Sequence, residues 1–177
     1  MKVLIIIGII IILVTVLILM FINSKNKFNF LDIKIEEADS NISLYLLKKE
    51  TSLDNLIKII IKQGQGEEEF NDFDELVNED NNCFELHSIL SKYYSKLAKL
   101  LLDNEELAKN EDVIKQLINL KNNEEDLIGS IKFYNDSVVD YNGLIKTFPH
   151  KIYSRIHKLT DKNFYNNEKE ELFDILK

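Results

Sequence analysis

The side chains that could do chemistry are few, and their spacing is poor for it. The chain of 177 residues holds three histidines and one cysteine. Cys83 and His87 stand four apart, so a helix would place thiol and imidazole on one face. Such a pair can yield a thiolate nucleophile, but a third group to orient the imidazole is missing, and a plain buried thiol fits better. Di-iron bundles use Glu-x-x-His pairs. Here Phe84, Thr147 and Ser154 stand three residues before His87, His150 and His157. His150 and His157 lie in a basic stretch and read as surface residues. One cysteine allows neither an intrachain disulfide nor a cysteine zinc cluster. "GQG" at 64–66 lacks the lysine and the preceding strand of a phosphate loop. Glu67–Glu69 reads as the acidic first turn of a helix rather than a calcium site. No catalytic, cofactor-binding or metal-ligating residue is assigned, no cofactor is expected, and the chain is not expected to be an enzyme.

Composition narrows the class further. The net charge is −8 and the pI about 5.0, which argues against nucleic acid, because phosphate binding calls for clustered Lys and Arg. Charged residues make up 29%, yet mean hydropathy is only −0.14, so a very apolar zone must offset a very polar one. Five glycines and one proline leave little to break helices.

The apolar zone is "VLIIIGIIIILVTVLILMFI", residues 3–22. It is uncharged and about the length needed to cross a hydrocarbon core. It ends in "FINSKNK", without a small-residue cleavage site, and so reads as an uncleaved single-pass anchor over 1–27. Lys2 precedes it and Lys25, Lys27 and Lys34 follow, which favours the following residues in the cytoplasm and the N-terminus outside. The remainder, 28–177, has helical periodicity. One apolar seam steps through Leu31, Ile35, Ala38, Ile42, Leu46, Lys49, Leu53, Leu56 and Ile60. "GQGEEE" breaks it. A short helix is expected over Phe70–Val77, a turn over Asn78–Asn82, and another helix over Cys83–Leu102. The longest seam alternates steps of four and three through Val113, Leu117, Leu120, Glu124, Leu127, Ile131, Tyr134, Val138, Tyr141, Ile145 and Phe148. A repeat of 3.5 calls for a partner helix, and Pro149 ends the run. The expected fold is all-α: an N-terminal transmembrane helix, then an antiparallel helical bundle with long coiled-coil-like helices. A basic piece, "HKIYSRIHKL", and a short terminal helix over residues 163–177 close the chain.

"FYNDSVVDYNGLIKTFP", residues 133–149, puts two Tyr-Asn pairs seven apart in that last long helix. Asparagine disfavours helix interiors. At the border of a buried stripe it can bond across a helix pair, which makes a structural polar ladder the plain reading and a ligand- or peptide-contacting groove the alternative. The stretch resembles the signature of the LemA family of bacterial membrane-associated proteins, roughly F-Y-N-[DE]-x-V-x-x-Y-N-x-x-I-x-x-F-P. Phe133, Tyr134, Asn135, Asp136, Val138, Tyr141, Asn142, Ile145, Phe148 and Pro149 match it. Residues 35–57 resemble the family's first helix at Glu37, Ala38, Ser40, Ile42, Leu46, Asn55 and Leu56, with Asp39 and Asp54 where the family has tryptophan and proline. "AKNEDVIKQLINL" resembles a third block, and the basic piece after Pro149 replaces the usual apolar tail. The resemblance implies a membrane-anchored helical bundle, mostly cytoplasmic, without an established enzymatic activity.

Two contacts follow if the long helices pack antiparallel. Levelling Ile60 with Val113 puts Lys49 and Glu124 each eleven residues from that end. Either they meet as a register-setting pair or both extend to the surface. The same register brings His150–Leu159 near the bilayer. Lys151, Arg155 and Lys158 then either contact an anionic membrane surface, with Ile152, Ile156 and Leu159 facing inward to lipid or bundle, or cap the bundle in water. The functional expectation is an interaction or scaffold module whose partners are the lipid bilayer and a protein partner or a second copy, with no nucleic acid. The alternatives are a membrane-tethered enzyme subunit or regulator and an extracytoplasmic coiled-coil spacer.

Overall fold

The computed structural model describes residues 1–165, and all regular structure among them is helical. The terminal helix expected near the end falls mostly outside the described residues. α1 runs unbroken over Lys2–Lys62. It has no proline and a single glycine to interrupt it. It stops at Gly64 and Gly66, whose φ values of 77° and 68° suit glycine. A Cβ on Gly66 would lie 2.9 Å from the Phe70 ring, so only glycine fits this turn.

The single helix expected over Phe70–Val77 is two: α2, Glu67–Phe70, and α3, Phe73–Val77. The break at Asn71-Asp72 lets Phe70 and Phe73 both pack on Tyr93 and lets the Asp72 carboxylate accept the Tyr93 hydroxyl at 2.5 Å. α4, Cys83–Asp103, opens with a capping box: the Asn82 side chain accepts from Phe84 and Glu85 N–H, and Glu85 accepts from Asn82 N–H. α5 is Glu105–Ala108. α6, Glu111–Lys146, starts where the Asn110 side chain accepts from Asp112 and Val113 N–H. α7 is His150–Ile156.

Contacts group these elements into two compact units. The first is Met1–Ala38 with Phe133–Phe164. The second, within the described residues, is Asp39–Lys132 with Tyr165. Hydropathy suggested a division after residue 27. Contact divides α1 after Ala38 instead, because Ser24, Phe28, Leu31 and Ile35 are already buried in the first unit.

In the first unit the core is Phe28, Leu31, Ile35, Val138, Tyr141 and Tyr153, with Tyr134, Leu144, Ile145 and Leu159 packed against it. Phe28 meets Tyr141 ring to ring at 5.3 Å, and Lys34 lies 5.7 Å from the Phe133 ring. The numbers rise on α1 as they fall on α6, so the two helices run in opposite directions there. In the second unit the same sense holds: Lys49 pairs with Glu124, and Asn123 contacts Ser52. The α1 seam residues from Ile42 to Ile60 named above are all buried in that unit. On α6, Val113, Leu120 and Leu127 are buried and Leu117 is half-buried. Phe148, expected to end the α6 seam, is 74% exposed, because α6 stops at Lys146 and the chain turns before it.

Candidate functional site

The signature residues of the first unit divide their work. Val138 and Tyr141 are core, while Tyr134 and Ile145 are half-buried against it. Phe133 and Asp136 are exposed, with Phe133 beneath the Lys34 ammonium. Asn135 is half-buried. Among the described residues, Asn142 bonds the segment after α7 rather than a neighbouring helix as in a polar ladder. Its Nδ2 donates to the Lys162 carbonyl at 2.9 Å and its Oδ1 accepts the Lys162 N–H at 2.8 Å. Tyr134 donates its hydroxyl to the Asn163 carbonyl at 3.3 Å. The two polar side chains thus hold an extended strap, residues 159–164, along α6.

The Lys162 side chain completes the grip. Its ammonium lies 2.7 Å from Asp32 Oδ1 and 4.9 Å from the Tyr141 ring centre. Burial alone would lower this lysine's pKa, but the hydrogen bond and charge of Asp32 outweigh it and hold the pKa up. Burial raises the Tyr141 phenol, and the Asp32 charge adds to it. Lys146 and Asp161 pair at 3.4 Å near the same strap. Lys158 turns the chain into the strap with a φ of 53°, and Leu159 N–H reaches back to the Ser154 carbonyl at 2.9 Å.

α7 presents three faces. His150, Tyr153 and Ser154 are buried. The reading of His150 as basic surface is therefore corrected: its Nδ1 lies 2.8 Å from Ser24 Oγ, and Tyr153 stacks on Phe28 at 5.6 Å. Burial lowers the His150 pKa, and the nearby Lys27 charge lowers it further. Lys151, Arg155 and Lys158 are exposed. Of Ile152, Ile156 and Leu159, expected to face lipid or the bundle, Leu159 packs on the core, while Ile152 and Ile156 are 51% and 61% exposed and do not face the bundle. The Tyr153 ring, which also meets Phe21 at 4.8 Å, takes the side of α7 that faces the core. An apolar groove of about 280 Å³ lies beside these contacts, with Leu17, Met20 and Phe21 on one wall and Phe148 and Ile152 on the other.

In the second unit, Lys49 Nζ and Glu124 Oε2 are 2.5 Å apart, and Lys49 is 1% exposed. Glu124 Oε1 is buried without a hydrogen-bond partner among the described residues. Burial raises the pKa of the neighbouring Tyr94, and the Glu124 charge raises it further. Beside the pair runs a groove of about 500 Å³ whose walls include Ser52, Asn55, Asn119, Asn122 and Asn123. Lys48 and Thr51 line it too, so it offers amides, hydroxyls and one ammonium. Cys83 is half-buried, with its Sγ 3.3 Å from Ser43 Oγ and its carbonyl accepting the Tyr165 hydroxyl. Among the described residues, no three His, Cys, Asp or Glu side chains gather as a metal site.

The partners that sequence reading missed are Ser24 for His150, Lys162 for Asn142, and Glu85 for Asn82. Only the last had a local signal, the Asn-x-x-Glu spacing of a capping box.

Residues 2–62 form one helix whose N-terminal part is long and apolar enough to cross a membrane, and that window is wholly unburied. No curated protein and no solved structure matches the chain. The sequence profile of the LemA family matches residues 38–174, most of the chain, and takes in the second long-helix seam and the Tyr-Asn signature. The protein belongs to the LemA family.

Proposed function

We propose that this chain is a single-pass, membrane-anchored interaction module. Residues 3–22 span the bilayer, the N-terminus lies outside, and the helices face the cytoplasm. There they dock a protein partner or a second copy, with no catalysis of their own. Scaffolding is the function, and the coiled-coil-like helices are its working surface.

The observation that carries this reading is a set of apolar side chains left exposed on the long helices. With the seam buried, α6 of the second unit still exposes Ile114, Ile118 and Ile128, and α1 exposes Leu44 and Leu47. Ile114 and Ile118, four apart, share a face of α6, and Leu44 and Leu47, three apart, share one of α1; Lys121 and Glu125 stand between the α6 pair and Ile128. Clustered exposed apolar residues mark surfaces that meet another protein. The wholly exposed apolar window of α1 supports the anchor, since water would not tolerate it.

The test is the mass of the full chain in detergent micelles, with crosslinking in cells from a photoreactive residue at Gln116. Wild type should form a defined oligomer or a defined crosslink. Ile114→Glu with Ile118→Glu, both at exposed positions, should abolish it while helicity stays. Unchanged mass and unchanged crosslinks in the double variant would count against this surface. For orientation, Lys109→Cys on a Cys83→Ser background should react with a membrane-impermeant thiol reagent only after cells are opened. Reaction on intact cells would reverse the topology and favour an envelope spacer.

A further inference from the structure

We infer that α7 is immersed in the membrane interface, with phospholipid acyl chains filling its groove against α1 and anionic headgroups meeting Lys151 and Arg155. The inference rests on reading residues 3–22 as a membrane span.

The groove is continuous with that span. Leu17, Met20 and Phe21 form one wall, and Phe148, Ile152 and Tyr153 form the other. Leu17 lies five residues inside Ile22, so at 1.5 Å rise per residue the wall reaches about 7 Å below the end of the span. Interfacial helices sit about 5–10 Å into the headgroup–acyl boundary. If α1 crosses the bilayer here, α7 is held at that depth by its own contacts. Phe21 meets Tyr153 at 4.8 Å and His157 at 5.7 Å, and Ser24 bonds His150.

The outward faces of α7 suit that depth. On α7, Ile152 and Ile156 stand four apart and are both exposed, and Phe148, in the turn just before α7, is 74% exposed. In water they would form an uncovered apolar ridge. Beside them Lys151 and Arg155, also four apart, are exposed, and residues 150–159 hold no acid. Lys25 and Lys27, just past the span, are exposed in the same unit and add to the positive field. Apolar and basic faces side by side fit an anionic lipid surface, where long cationic side chains reach up from an apolar bed.

The chain contains no tryptophan, so each introduced one is a single reporter. Full-length Phe148→Trp and Ile152→Trp would be placed in vesicles of mixed zwitterionic and anionic phospholipid carrying bromine at defined acyl depths. Leu13→Trp reports the middle of the span, and Leu102→Trp reports an exposed site of the other unit. The expected result is quenching of Phe148→Trp and Ile152→Trp by shallow bromines, of Leu13→Trp by deep ones, and of Leu102→Trp by neither. Lys151→Glu with Arg155→Glu should weaken the shallow quenching. Loss of lipid quenching at Phe148→Trp and Ile152→Trp, with Leu13→Trp still quenched, would overturn the inference and leave the anchor standing. Shielding of those two from aqueous iodide without lipid quenching would assign the groove to a protein and likewise overturn it. An unquenched Leu13→Trp would remove the span and the inference together.

Discussion

At Asn142 one side-chain amide satisfies both polar groups of a single residue, the N–H and the carbonyl of Lys162. This geometry explains why a poor helix former sits in a long helix. Its amide serves the strap rather than the helix, and the Tyr134 hydroxyl continues the contact to Asn163. Asn142→Ala removes two hydrogen bonds and should cost about 1–2 kcal/mol. It should also raise hydrogen exchange at the Lys162 amide well above that of the α6 core; unchanged exchange would contradict the clamp. The type and spacing of Tyr134, Asn135, Tyr141 and Asn142 were legible in the sequence. The partner of Asn142 was not, because a strap twenty residues away carries no periodic signal. His150 and Ser24, 126 residues apart, were hidden for the same reason. Burial first, and then Lys27, holds the His150 pKa below its ordinary value of 6.5. The unfolded chain therefore binds a proton that the folded chain refuses. The stability due to neutral His150 is full above pH 6.5 and is lost as pH falls through the lowered folded value. Thermal melts of wild type should drop more steeply below pH 6.5 than those of His150→Gln, and parallel curves would contradict the assignment.

At the scale of the helix, burial follows the period. Every α1 position from Leu31 to Ile60 that a repeat of three and four selects is buried, and those residues form the core whichever unit they fall in. Periodicity reads burial well because one stripe must leave water. It reads interruptions poorly. Nothing in the step pattern separates α2 from α3, which tertiary demand splits so that Phe70 and Phe73 can both reach Tyr93. Nor does it show that α7 turns Tyr153 rather than Ile152 to the core. The one charge in each seam was legible, and the two side chains meet at 2.5 Å. Removing one partner of a buried pair leaves the other charge uncompensated, so Lys49→Ala should cost about 3 kcal/mol in denaturation of the detergent-solubilised chain. Lys49→Leu with Glu124→Leu should regain that loss, giving a coupling well above the error of a double-mutant cycle. If the pair sets register, the double variant should also broaden the crosslinking register between α1 and α6. Single variants that each cost under about 0.5 kcal/mol, the level of exposed pairs, would show that the contact does nothing.

For the molecule as a whole, hydropathy divides the chain after residue 27 and contact divides it after Ala38. The two divisions answer different questions, one about solvent and the other about packing. Residues 23–38 belong to both sides: they follow the apolar run, yet Ser24 and Phe28 are buried beneath α7. The family could be read from the signature, but the proposed surfaces could not. They consist of side chains left exposed once the seams are buried, and a sequence does not mark which apolar residues will be left over. All of the proposed function depends on residues 3–22 lying in a bilayer. The most direct test is alkaline carbonate extraction of membranes from cells making the full chain, beside a variant carrying Ile10→Asp and Leu13→Asp. A central aspartate costs about 2.5–3.5 kcal/mol on insertion scales, so two should defeat the span. The account requires wild type to remain with the membrane pellet and the variant to be released. Wild type in the supernatant would contradict the anchor and every reading built on it.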